Sequence, residues 1–136
     1  MKKLTALILI LVIVVSCSVS GAEYMLTENE KNFLGAWSMY ADNGKGTLYV
    51  FIVVFLDNME VVQRSMTFKN GVLSSDNKAT GEWGGFTDKT IIFTLADTGM
   101  TAMIKEDGYM YMYFFKDLKM AGAFTRCPDM ASVMGW

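Results

Sequence analysis

Turn-forming residues punctuate this chain from Gly35 to Arg126 at hairpin-length intervals, and that punctuation limits the fold more than any other feature. Asp42-Asn43-Gly44, Asp57-Asn58, Asn70-Gly71, Asp97-Thr98-Gly99, Glu106-Asp107-Gly108 and Lys116-Asp117 combine residues that tolerate a positive φ or bond their own backbone. Asn70-Gly71 is the strongest of them, a dipeptide favoured in two-residue hairpins. The segments between are rich in β-branched and aromatic residues: 35–41, 46–56, 59–69, 79–86, 89–95, 100–105, 109–115 and 119–126. Residues 72–73 read as a stub before a polar loop at 74–78, and Gly84-Gly85 predicts a bulge or sharp bend.

Eight consecutive strands without a long crossover predict an antiparallel meander. Such a sheet has two unpaired edges, and closure into a barrel removes both. The expected fold is therefore all-β, an eight-stranded antiparallel up-and-down barrel with short N- and C-terminal helices. A two-sheet sandwich is the alternative, but its links are usually longer. The first helix is expected at Thr27-Glu28-Asn29-Glu30, a capping box, and Gly35 should stop it after Phe33-Leu34. The last begins at Pro128, with Met130, Val133 and Met134 on one side and Trp136 closing the chain. It is expected to pack on the outside of the barrel.

Before the barrel, Lys2 and Lys3 lead into an apolar run of twelve residues, 4–15, followed by Ser16 and Cys17. A membrane span needs about 20 apolar residues, so this run reads as a secretory signal. Val14-Val15-Ser16-Cys17 resembles the bacterial lipoprotein signal, in which cleavage precedes a cysteine that is then acylated. Cleavage after Ser20-Gly21-Ala22 by an ordinary signal peptidase is the competing possibility. The resemblance implies a signal peptide at 1–16, a lipidated tether at 17–26 and a barrel domain at 27–136. It also implies export to the cell envelope with membrane attachment through Cys17. Ser18 after the cysteine fits the outer membrane of a Gram-negative host.

Loss of Lys2 and Lys3 would leave ten of the twelve basic residues against fourteen acidic ones, a net charge of −4. No basic cluster is present, which argues against nucleic acid or an anionic surface as partner. Histidine is absent, removing the commonest general base and metal ligand. Ser/His/Asp and Cys/His chemistry is thereby excluded, and no nucleophile elbow, phosphate loop or metal-ligand spacing occurs. Neither an enzyme nor a cofactor is expected. With Cys17 acylated, Cys127 has no disulfide partner and reads as a small apolar residue. Met100, Met103, Met110, Met112 and Met120 are soft thioethers suited to Cu(I), but lacking His or paired Cys they read as core gap-fillers, and no metal is expected.

The first strand opens Phe33-Leu34-Gly35-Ala36-Trp37. A short helix followed by Gly-x-Trp at the head of an eight-strand meander resembles the lipocalins and their calycin relatives. In that family the tryptophan closes the barrel floor and a basic residue late in the final strand covers it. The resemblance implies that Gly35, Trp37 and Arg126 form the floor here. A planar guanidinium suits the role, stacking on indole while its donors reach carbonyls.

An inward Trp37 puts Met39 and Ala41 inward by period two. Tyr109, Tyr111 and Tyr113 share one face of their strand, and each offers an apolar ring with one polar handle. With Met39 they are the expected ligand-binding residues, and Trp83 beside Glu82 is a further rim candidate. Residues 48–56 are apolar on both faces, so their outer side needs cover from the chain, a partner or the membrane. The expected function is non-catalytic binding or carriage of a small hydrophobic molecule. The alternative is a protein-interaction module, an inhibitor or envelope assembly factor, with a filled barrel.

Overall fold

The structure is a computed structural model that describes residues 25–127. The expected signal peptide at 1–16, Cys17 and the expected helix from Pro128 lie outside the described residues. Thr27 begins helix α1 (Glu28–Lys31), closed by the expected capping box. The Thr27 hydroxyl accepts from the Glu30 N–H at 3.1 Å, and the Glu30 carboxylate accepts from the Thr27 N–H at 2.8 Å. One turn later the chain enters β1 (Gly35–Asp42) through Gly35 at φ +106°, a conformation that disfavours any side chain.

The remaining strands are β2 (Thr47–Phe55), β3 (Glu60–Lys69), β4 (Val72–Gly85), β5 (Thr90–Leu95), β6 (Thr98–Ile104), β7 (Met110–Phe114) and β8 (Met120–Arg126). Each pairs antiparallel with the next, and β8 returns to β1 through Trp37–Arg126 and Ser38–Thr125. The result is a closed eight-strand barrel. Asn70-Gly71 forms the expected hairpin turn, both residues at positive φ. The β6–β7 turn also falls where expected, with Gly108 at φ +84°.

Three local expectations are corrected. Residues 72–78 are not a stub and a loop: they are the first half of β4, paired with Thr67–Lys69, Met66, Ser65 and Arg64 of β3. Polar composition there reflects exposure of the strand rather than its absence. The β5–β6 turn is Ala96-Asp97, both at positive φ, and Thr98-Gly99 already belong to β6. Gly84-Gly85 also makes no bulge. Both pair in register with β5, and Gly85 is small because a Cβ there would sit 3.0 Å from Glu30 Oε2.

The floor half of the barrel is solid. Phe55 meets Phe33, Trp83 and Phe93 edge-to-face at centroid distances of 6.3, 5.3 and 5.2 Å, the geometry that aromatic quadrupoles favour. Trp37, Val53, Val61, Ile91 and Met110 complete this buried cluster. Trp83 is thus a core residue at 1% exposure, not a rim residue, and its indole N–H donates to the Leu56 carbonyl at 2.9 Å. On the outer side of β1 and β2, Ala36 and Val54 are buried, with Ile52, Leu56 and Cys127 packed against them. Cys127 is a free thiol in this apolar patch.

Candidate functional site: the barrel mouth

Period two carries the inner face of each strand upward from the solid floor. On β1 it passes from Trp37 to Met39, and on β2 from Phe55 through Val53 to Phe51. At this level the inner faces enclose a cavity of about 380 Å³. Met39, Phe51, Gln63, Ala79, Leu95, Met100, Met112 and Phe124 line it, one from each strand in order. It is therefore the barrel interior itself, not a crevice between elements. Ala96 and Phe114, both exposed, mark its rim. Gly122 keeps space on β8 for the Met39 thioether, which a Cβ there would strike.

The volume corresponds to about a dozen liquid waters at ~30 Å³ each and lies at the small end of the ~300–1,000 Å³ typical of ligand pockets. No lining side chain is ionisable; Gln63 and Thr98 are its polar members. The Gln63 amide donates to the Ser65 hydroxyl at 3.3 Å. Among the described residues, no buried side-chain nitrogen or oxygen lacks a partner. Such a lining offers water little and an apolar group a good deal.

The expected floor residues meet. The Arg126 guanidinium lies 4.2 Å from the centroid of the Trp37 ring and donates to the carbonyls of Leu34 at 2.8 Å and Asn32 at 2.7 Å. Gly35 lies beside it, where a Cβ would be 3.5 Å from Nη1. The Trp37 indole donates to the Phe33 carbonyl at 3.0 Å. Strand β8 is thus tied to the α1–β1 link, and the lower end of the barrel is shut. Glu30, fully buried, adds a second tie: its other carboxylate oxygen accepts the Gly85 N–H at 2.7 Å.

The expected ligand residues separate. Met39 lines the cavity, but Tyr109, Tyr111 and Tyr113 do not. On β7 the buried residues are Met110 and Met112, which puts the tyrosines on the outer wall. There the Tyr111 hydroxyl donates to Asp107 at 2.6 Å, and the Lys105 ammonium sits 4.4 Å from the Tyr111 ring centroid. That hydrogen bond, with one from the Tyr109 N–H, holds the Asp107 carboxyl below the ordinary aspartate range and raises the Tyr111 hydroxyl. The outer face of β3–β4 carries a second charged cluster. Arg64 grips Asp76 at 2.7 and 2.9 Å, lowering the aspartate by hydrogen bonding first and charge second.

Of the methionines considered as thioether ligands, Met100 and Met112 line the cavity, Met110 lies in the floor core, and Met120 is exposed on β8. No group of three His, Cys, Asp or Glu able to hold a metal occurs among the described residues. Sequence reading missed Phe51, Gln63, Ala79, Leu95 and Phe124 as lining residues. Trp37 would have found Phe51, since the β1–β2 register sets Met39 directly across from it.

Comparison with known proteins finds no matching family model, no matching curated protein and no matching solved structure.

Proposed function

We propose that this protein is an exported bacterial envelope lipoprotein, anchored through acylated Cys17, whose barrel binds or carries a small hydrophobic molecule without catalysing its conversion. The observation that carries the binding role is the apolar cavity to which all eight strands contribute, placed at the end opposite the shut floor. A closed bottom and an apolar upper chamber suit a molecule that enters and leaves by one route. The lipocalin-like arrangement of Gly35, Trp37 and Arg126 agrees with such a role, and the lack of ionisable lining groups agrees with an apolar ligand. The anchor rests on the sequence of residues 1–17.

Native mass spectrometry of the exported mature chain, residues 17–136, tests the binding role. A reproducible adduct of lipid or metabolite mass is expected, lost when Ala79→Phe fills the cavity. A clean apo mass together with no uptake of an apolar dye would refute it. For the anchor, Cys17→Ser should abolish partitioning into membranes; unchanged partitioning refutes acylation. A protein-interaction module is the second reading, favoured by Tyr40 and Tyr109 standing 65% and 43% exposed on the outer wall, because aromatic residues are enriched at interfaces.

A further inference from the structure

Above the cavity the barrel wall continues on one side only. β1 to β4 run on together, β2 paired with β3 out to Thr47–Lys69 and β1 with β2 out to Asp42–Leu48, whereas β5 pairs with β4 at Trp83, Gly84 and Gly85. β3 and β4 form the free end of this extension, an arm beside the mouth. The face of that arm turned toward the mouth is fixed by register. From the Gln63–Ala79 pair lining the cavity it climbs through Ser65–Asn77 to Thr67–Ser75, with Tyr49 of β2 beside Thr67. Ser75 and Asn77 are exposed and Ser65 and Thr67 half-buried. An apolar chamber therefore passes directly into a wall of hydroxyls and amides.

Between Gln63 and Thr67 on β3, and Ser75 and Ala79 on β4, that face holds no charged side chain. The ionic residues of the stretch, Arg64, Asp76 and Lys78, alternate to the opposite face, where Arg64 and Asp76 pair at 2.7 Å. We infer that the ligand is a single-chain amphiphile with an uncharged, hydroxyl- or amide-bearing head, its tail in the chamber and its head along the arm. The inference rests on the cavity being the ligand site. A hydrocarbon without a head would gain nothing from the arm. An anionic head would meet no opposite charge on that face. A neutral head finds both donors and acceptors there, because Ser, Thr and Asn supply each.

The test sets dodecane, monolaurin, lauric acid and lauryl phosphate against one another in displacing an apolar fluorophore from the unacylated mature chain, residues 17–136. Monolaurin should bind about tenfold tighter than dodecane or either anion, the effect of one or two net hydrogen bonds. Ser75→Ala with Asn77→Ala should bring monolaurin down to dodecane and leave dodecane unchanged; both sites are exposed, and far-UV circular dichroism checks that the barrel persists. Equal affinity for dodecane and monolaurin, or tighter binding of an anion, overturns the head assignment while the cavity remains a ligand site. No displacement by any of the four, with Ala79→Phe indistinguishable from the parent, overturns the cavity as well.

Discussion

Replacing Glu30 with alanine should weaken the barrel far more than its place in a one-turn helix suggests. Its carboxylate is fully buried and receives two backbone N–H groups, from Thr27 at 2.8 Å and Gly85 at 2.7 Å. The Thr27 hydroxyl keeps its bond to the residue-30 N–H, so the capping box loses only the bond from the Thr27 N–H to the carboxylate, about 0.5–1.5 kcal/mol. Leaving the part-buried Gly85 N–H without an acceptor costs about 1–3 kcal/mol more. We expect a loss of about 3 kcal/mol, which for a domain of this size lowers the melting temperature by roughly 10 °C. Urea unfolding followed by tryptophan emission reads it directly, with an unchanged denaturant slope if only stability moves. Glu30→Gln keeps the shape and one acceptor oxygen, so its loss should be about half as large. A Glu30→Ala chain within about 0.5 kcal/mol of the parent, the scatter of neutral surface changes, would refute the reasoning that this carboxylate ties α1 to β4.

Gly81→Ala should be among the most damaging single changes, about 2–4 kcal/mol by urea unfolding, because its Cβ would collide with the Thr94 carbonyl and backbone cannot step aside; a neutral outcome would mean that β4 and β5 do not approach there. Arg126→Lys should cost about 1 kcal/mol, since one ammonium cannot reach both the Asn32 and Leu34 carbonyls while stacking on Trp37; an unchanged melting curve would show the fork to be idle. Tyr111→Phe should raise the Asp107 titration midpoint toward the ordinary aspartate range, read by carboxyl NMR, because the lost hydroxyl is the largest cause of its depression. With Asp76 and Asp107 both depressed in the folded state, their stabilisation is present at neutral pH and lost on acidification through their lowered values. A Tyr111→Phe, Asp76→Asn double variant should therefore show a shallower fall in stability with acid, and an identical acid profile would count against it.

The strand count, the closed topology and most turns were legible because Asn, Asp and Gly favour turns whatever surrounds them, by positive φ at Gly44, Asn70, Gly71 and Gly108 and by side-chain bonds to nearby backbone N–H groups at Asn58 and Asp117. Ala96-Asp97 escaped notice because alanine carries no such mark, and only the pairing of Leu95 with Thr98 forces it left-handed. Facing was harder to read. Both faces of β7 are large and apolar, so its parity was undetermined until Met110 and Met112 proved to be the buried set. The alternating polar and apolar signal that fixes parity in an ordinary half-solvated strand is missing there. Glu30 was legible as a helix cap, but its bond to Gly85 spans 55 residues and has no local signature.

The polar run Ser74-Ser75-Asp76-Asn77-Lys78 has a consequence beyond the site. Among the described residues it pairs with β3 alone, so its other side is an open ribbon of amides and carbonyls next to exposed Val72 and Leu73. Ribbons of that kind recruit copies of themselves and grow into fibrils. Two serines, an asparagine and opposite charges two residues apart make this stretch a poor template for such growth. Its resemblance to a loop is then the mark of an edge strand guarded against pairing with copies of itself, a protection that counts most where many copies lie side by side.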